Sequence, residues 1–149
     1  MNKYRGFVEI QIEKETKGFK FNNNASVIYC ESKGIELGEM AGEMRLSGED
    51  QKKINQGDFS VLKNVHMTYW RDMIWAAHAG YQRARGLEEP VKEQVGEWID
   101  EMPQKDFNKI ISAFVGASAL GESLGVKLSK SMEAIKSHGR SSTATVSQD

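Results

Sequence analysis

The chain is short of several things, and each shortage closes off a class of function. It has one cysteine, Cys30, among 149 residues. A lone thiol makes no internal disulfide and no metal cluster, and the apolar surroundings of Cys30 suit a buried, reduced side chain. A formal net charge of -1 gives no bulk pull toward nucleic acid or an anionic membrane, because phosphate binding draws on a basic excess. No apolar run approaches the roughly 20 residues that a membrane-spanning helix needs. The opening MNKYRGFVEI lacks the long apolar core of an export signal. The expectation is a protein made and used in a cytoplasm, with neither membrane nor nucleic acid as partner.

Motifs for chemistry are missing too. Gly34, Gly38 and Gly42 precede no strand-to-helix turn and no Lys-Ser pair, so they form no phosphate loop. There is no GxSxG elbow, and no histidine near Cys30 in sequence to activate it. His66 and His78 are separated by twelve residues and share no helical face, so they make no ligand pair. Glu97, Asp100 and Glu101 around Trp98 and Ile99 read as a solvated helix face. Catalytic residues, cofactor and metal are therefore all expected to be none, and the chain reads as a binding protein.

With 39% hydrophobic and 28% charged residues, the composition is that of an ordinary soluble globular protein, and the length suits one domain. In GFVEIQIEKETKGFKFN, Phe7, Glu9 and Gln11 alternate with Val8, Ile10 and Ile12, which predicts a strand. Phe19 and Phe21 flank Lys20 on a second strand, with EKETKG as a loop longer than two residues. An Asn among Asn22 to Asn24 caps a short helix that Gly34 ends. Ile35 to Gly57 is polar and glycine-dotted, a connector with one or two weak helical turns. A long helix follows from Asp58 to Arg85, stopped by Gly86. Pro90 opens the next, with Val91, Val95, Trp98, Ile99 and Met102 on one face, and Pro103 ends it. A last helix from Gln104 to Gly121 turns Phe107, Ile110, Ile111, Phe114 and Val115 inward. Leu128, Met132 and Ile135 are spaced as one helical stripe, but SHGRSSTATVSQD has the composition of a disordered tail. The fold class is thus mainly α: a small helical domain with an N-terminal β-hairpin over residues 1–124, then a weakly helical to disordered tail, 125–149.

The stretch VHMTYWRDMIWAAHAGYQRARG concentrates the aromatics. At about 100° per residue, Met67, Ile74, Ala77 and Tyr81 cluster around Trp70, and Leu62, Tyr69, Met73 and Ala76 flank them. Trp70 and Tyr81 read as core. The apolar arc is too wide for one contact, so the helix should pack on two sides, one of them the hairpin. His66 falls inside that arc as a core histidine, and His78 at its boundary as a solvated one. Asn64, Thr68, Arg71, Asp72, Gln82 and Arg83 form the polar remainder, with Trp75 in its middle. Two readings of Trp75 stand. It is covered by the hairpin or connector of its own chain, or it is an exposed anchor for a partner, framed by Arg71 and Gln82.

The order of these pieces resembles the tail assembly chaperones of long-tailed bacteriophages and gene transfer agents. The matching elements are Lys33-Gly34-Ile35 with Leu37, Ala76 to Gly80 with Arg83 and Gly86, and Val95 to Glu101 (VGEWIDE); together they span about Phe7 to Ala117. The resemblance implies a non-catalytic protein that binds the tape measure protein, and in some cases tail tube protein or its own copies. Such a chaperone acts in the host cytoplasm during tail assembly and is absent from the mature virion. Many members also exist in a frameshifted longer form. Two other readings remain open from the residues: a small helical nucleic-acid-binding regulator using Arg71, Arg83 and Arg85 with the lysines of the C-terminal tail, and a structural neck or tail completion protein.

Overall fold

The chain starts by folding back on itself. In the computed structural model, which describes residues 5–117, strand β1 (Phe7–Ile12) pairs antiparallel with β2 (Glu15–Lys20), placing Val8 opposite Phe19 and Ile10 opposite Lys17. Ile10 and Ile12 are buried while Glu9 and Gln11 are exposed, as the alternation requires. The connection is tighter than its sequence suggests. Glu13 and Lys14 alone make the turn, at φ 54° and 70°. Two positive φ values in a two-residue hairpin loop match the right-handed twist of the strands, and asparagine and glycine adopt them with less strain.

Helix α1 (Asn23–Lys33) begins where the Asn22 carboxamide oxygen accepts from the Ala25 amide at 2.9 Å. It ends at Gly34, φ 69°, whose left-handed backbone turns the chain toward Ile35. Residues 35–57 are more ordered than a weak connector. They hold a 3₁₀ turn (Leu37–Glu39), the single turn α2 (Met40–Glu43) and α3 (Gly48–Asn55), the last capped by the Ser47 hydroxyl. Met40, Met44 and Ile54 are fully buried, and Ile35 and Leu46 pack half-buried against the core, so a few apolar side chains fasten a largely polar segment.

The expected helix from Asp58 to Arg85 is two elements. Asp58 caps a 3₁₀ segment (Phe59–Asn64), Val65 and His66 are extended, and α4 runs from Met67 to Ala84. The break has a cause: the His66 amide donates to the Met44 carbonyl at 3.0 Å, and the Val65 side chain is buried. His66 is therefore not a core histidine. It is exposed and caps α4, its ring accepting from the Thr68 amide. Gly86, at φ 71°, stops the helix as expected. Helix α5 (Lys92–Glu101) follows Pro90 and Val91, burying Val95 and Trp98 and leaving Val91 exposed. Helix α6 (Gln104–Val115) follows Pro103 and buries Ile110 and Phe114. Its expected extension to Gly121, the stripe at Leu128, Met132 and Ile135, and the tail from 125 lie outside the described residues.

Helix α4 is the spine, enclosed by the hairpin, α1 and α5. Asp72, Ala76 and Ala79 fall on one face, and Gly80 lies so near α1 that a Cβ there would sit 3.2 Å from Ile28 Cδ1. On another face His78 is buried at 3% exposure, a correction to its solvated placement. Its Nδ1 lies 2.7 Å from the Gly18 carbonyl and so donates to it, and its ring packs 5.3 Å from Phe19 and 5.4 Å from Trp98. Tyr81, expected in the core, is half-buried against Gly18, where a Cβ would stand 2.6 Å from its ring. That contact explains a glycine inside β2. A second aromatic cluster joins Trp70, Phe114 and Phe21, with Trp70 and Phe114 centroids 5.1 Å apart.

Two predictions follow from the hairpin and its anchorage. Replacing Glu13→Asn and Lys14→Gly together should stabilise the fold by about 0.5–1 kcal/mol, because both residues favour the required φ; an unchanged or lower denaturation midpoint would contradict the turn geometry. Burial pulls the His78 pKa below its ordinary value, against the opposing effect of the Gly18 bond. The unfolded chain therefore takes up a proton below about pH 6.5 that the folded chain refuses. Stability present at neutral pH is lost as pH falls through that value. Denaturant titrations between about pH 7.5 and 5.5 should show that decline in the wild type and a flatter profile in His78→Gln; parallel profiles would sink the assignment.

Candidate functional site

Three residues were candidates for a partner surface, and each is engaged within the chain. The Trp75 indole is half-buried and its Nε1–H donates to the Pro90 carbonyl at 2.8 Å, while the Lys92 ammonium lies 5.0 Å from the ring centroid. The contacts that hold it come from the loop between α4 and α5 and from the first residue of α5. Gln82 fastens the same loop, donating to the Glu88 carbonyl at 2.9 Å, and Arg83 holds Glu89 through two bonds of 3.0 and 2.9 Å. Arg71 is held by its neighbour, its Nε–H donating to Asp72 at 2.8 Å and its stem lying beside Gly96. The Arg85 guanidinium stacks 5.1 Å from the Tyr81 ring.

Asp72, placed by its helical phase on the polar arc, is 1% exposed. Its carboxylate meets the Lys33 ammonium at 2.9 Å and Arg71 at 2.8 Å, with Lys92 at 4.0 Å. Lys33 also reaches Glu43 at 3.4 Å, whose carboxylate accepts from the Tyr29 hydroxyl. Burial pulls the Lys33 pKa down, but the bonds to Asp72 and Glu43 outweigh it and leave it raised, so the ammonium is retained. Burial also pushes the Tyr29 phenol well above its ordinary range. The cluster is a set of paired charges joining α1, α2, α4 and α5. Each charge in it has a partner, and it contains neither an activated nucleophile nor an open ligand position.

The open apolar surface lies elsewhere. A groove of about 480 Å³ runs between the 3₁₀ segment, the start of α4, α5 and α6. Leu62 and Trp70, both almost fully buried, line it, and Phe59, Ile99, Met102 and Phe107 are half-buried along it. Met67 stands at its edge, 56% exposed. Beyond Met67 and Ile99 the groove continues as a shallower hollow of about 370 Å³ beside Glu93, Glu97 and Asp100, with Arg71 across from them. A third hollow, of about 510 Å³ between β1 and α6, carries Arg5, Lys105 and Lys109 beside Phe7 and Val8.

Sequence periodicity missed the groove because it treated Met67 as one more inward residue of a longer helix. The break at Val65 and His66 turns Met67 into the first residue of α4, and first-turn side chains have no preceding turn to cover them. Three methionines within the polar 35–67 stretch (Met40, Met44 and Met67) were the available signal, and two of them fill the core while the third does not.

Among the described residues no helix is long and apolar enough to cross a membrane, and no group of three or more His, Cys, Asp or Glu is placed to hold a metal ion. Comparison with protein-family models, curated proteins and solved structures finds no match.

Trp75→Ala should cost about 1–3 kcal/mol in a denaturant titration, since it removes a half-buried ring, an indole hydrogen bond and a cation–π contact. Trp75→Phe should recover part of that loss by restoring the ring under Lys92. A change below about 0.5 kcal/mol for Trp75→Ala would show that the ring is not a structural clamp and would return it to the anchor role.

Proposed function

We propose that the protein is a non-catalytic binder of amphipathic helices: a tail assembly chaperone of the long-tailed phage type. In this reading it holds the tape measure protein in the host cytoplasm while the tail tube assembles, and is absent from the mature virion. The observation that carries the reading is the groove bounded by Met67, Ile99, Met102 and Phe107. Thioether and aliphatic walls are polarizable and repack readily, which suits a surface that must accept many successive helical segments reversibly. The ordered resemblance from Phe7 to Ala117 supplies the biological setting, and tail tube protein is a second partner within the same reading.

The nucleic-acid reading has one observation in its favour, the hollow flanked by Arg5, Lys105 and Lys109. It loses the arginines first assigned to it, because Arg71 and Arg83 are paired with carboxylates and Arg85 lies on Tyr81. Retention on DNA that falls steeply with salt would favour it. Presence in purified virions would favour a structural neck or tail component instead.

The deciding experiment is co-expression of the full chain with a tape measure protein from the genome that encodes it. Co-purification is expected, and Met67→Asp should abolish it while changing stability by less than about 1 kcal/mol, because a carboxylate suits the first turn of a helix. Failure to co-purify would reject the chaperone reading. Binding retained by Met67→Asp would move the site away from the groove.

A further inference from the structure

The groove exposes Met67 at its edge, and a segment beyond the described residues carries an apolar stripe with basic charges around it. We propose that residues 126–140 of this same chain, VKLSKSMEAIKSHGR, dock in the Met67–Met102 groove and mask it. The inference rests on the reading of that groove as a helix-binding site and adds a mode of regulation to it. The segment lies outside the described residues, so its case is made from sequence, reach and charge.

Leu128, Met132 and Ile135 recur at i, i+4 and i+7, the spacing of one apolar stripe, which is what a single-helix groove reads. Lys127, Lys130, Lys136 and Arg140 against Glu133 make the segment basic. The hollow that continues the groove is acidic, with Glu93, Glu97 and Asp100 against one cation, Arg71, while the charged residue lining the groove itself is Lys63, so the electrostatic attraction lies at the hollow. Apolar stripe meets apolar wall and basic flank meets acidic rim. The reach is sufficient. The described chain ends just past α6, and returning along that helix from Ala117 to Phe107 covers about 15 Å. The eleven residues from Ala117 to Leu128 extend to roughly 36 Å.

Tethering makes even a weak contact effective. A short flexible linker presents its segment at millimolar effective concentration. A segment of about 100 µM intrinsic affinity would then fill the groove about nine-tenths of the time and weaken a competing helix about tenfold. A longer or more apolar partner helix displaces it; a short or poorly matched one does not.

Two measurements on the full-length chain test this, and neither uses the tape measure protein, so failure here leaves the chaperone reading standing. In the first, Met67→Cys is paired with Met132→Cys and compared with Asn24→Cys paired with Met132→Cys, Asn24 being exposed at the start of α1. Under mild oxidation the first pair should form an intramolecular disulfide at least about tenfold faster. Equal rates, or disulfide-linked dimers in place of intramolecular bridges, would overturn the proposal, the dimers by making a second copy the occupant. In the second, a fluorescent peptide copying residues 126–140 is titrated with wild type and with the double variant Met132→Asp, Ile135→Asp. Anisotropy should report about tenfold tighter binding to the variant, whose own segment no longer competes. Equal affinities, or no binding to either protein, would overturn it.

Discussion

One buried charge sets the geometry of the molecule. The Asp72 carboxylate on α4 is almost wholly removed from water, and a carboxylate in that position is tolerable only when cations and hydrogen bonds replace its hydration. Lys33 comes from α1, Arg71 from the same helix and Lys92 from the first residue of α5. The distant helix α1 and the following helix α5 are thereby held to α4 at one level, and Glu43 extends the set to α2 through Lys33. Such a network gives little net stability compared with an apolar core of the same volume. It does penalise every arrangement in which one of these elements slides along α4, because a shift of one turn would strand a charge.

That constraint reaches the groove through α5. Lys92 is held from two sides, by Asp72 and by the Ser32 hydroxyl at 3.1 Å, and it also stacks on Trp75. Trp75, Gln82 and Arg83 fasten the loop that delivers the chain to Lys92. With its first turn fixed, α5 buries Val95 and Trp98, and at the edge of that same apolar face the half-buried Ile99, with Met102 just past the helix end, forms the groove wall. The polar face of α4, first considered as a partner surface, thus has a different task. It positions the helix that forms one wall of the apolar groove.

The elements legible from sequence were those with local chemistry at their ends. Asn22 and Gly34 delimit α1, Gly86 stops α4 and Pro103 separates α5 from α6, because caps and breakers act through their own backbone and need no knowledge of the rest of the fold. What could not be read depends on partners far away in the chain. The helix break at Val65 and His66 rests on the Met44 carbonyl. The exchange of roles between His66 and His78 follows from that break and from the Gly18 carbonyl, sixty residues from His78. Asp72 looked solvated because helical phase reports only which residues share a face, not whether another helix bearing a lysine will arrive there. The turn at Glu13 and Lys14 was obscured because neither residue advertises positive φ.

The groove illustrates the same limit from the other direction. A core methionine and a groove methionine are the same residue type at similar spacings, so composition counts both and separates neither. Met40 and Met44 are enclosed because the 35–57 segment folds back over the start of α4 and presents a carbonyl to His66. That same fold-back halts the 3₁₀ segment and restarts the chain as α4 one residue later, at Met67. The contact that buries two methionines therefore leaves the third at the edge of an apolar channel, with Trp70 one turn further along the helix on the channel wall. An exposed thioether at that point is a consequence of how the core closes, which ties the proposed binding surface to the packing of the fold.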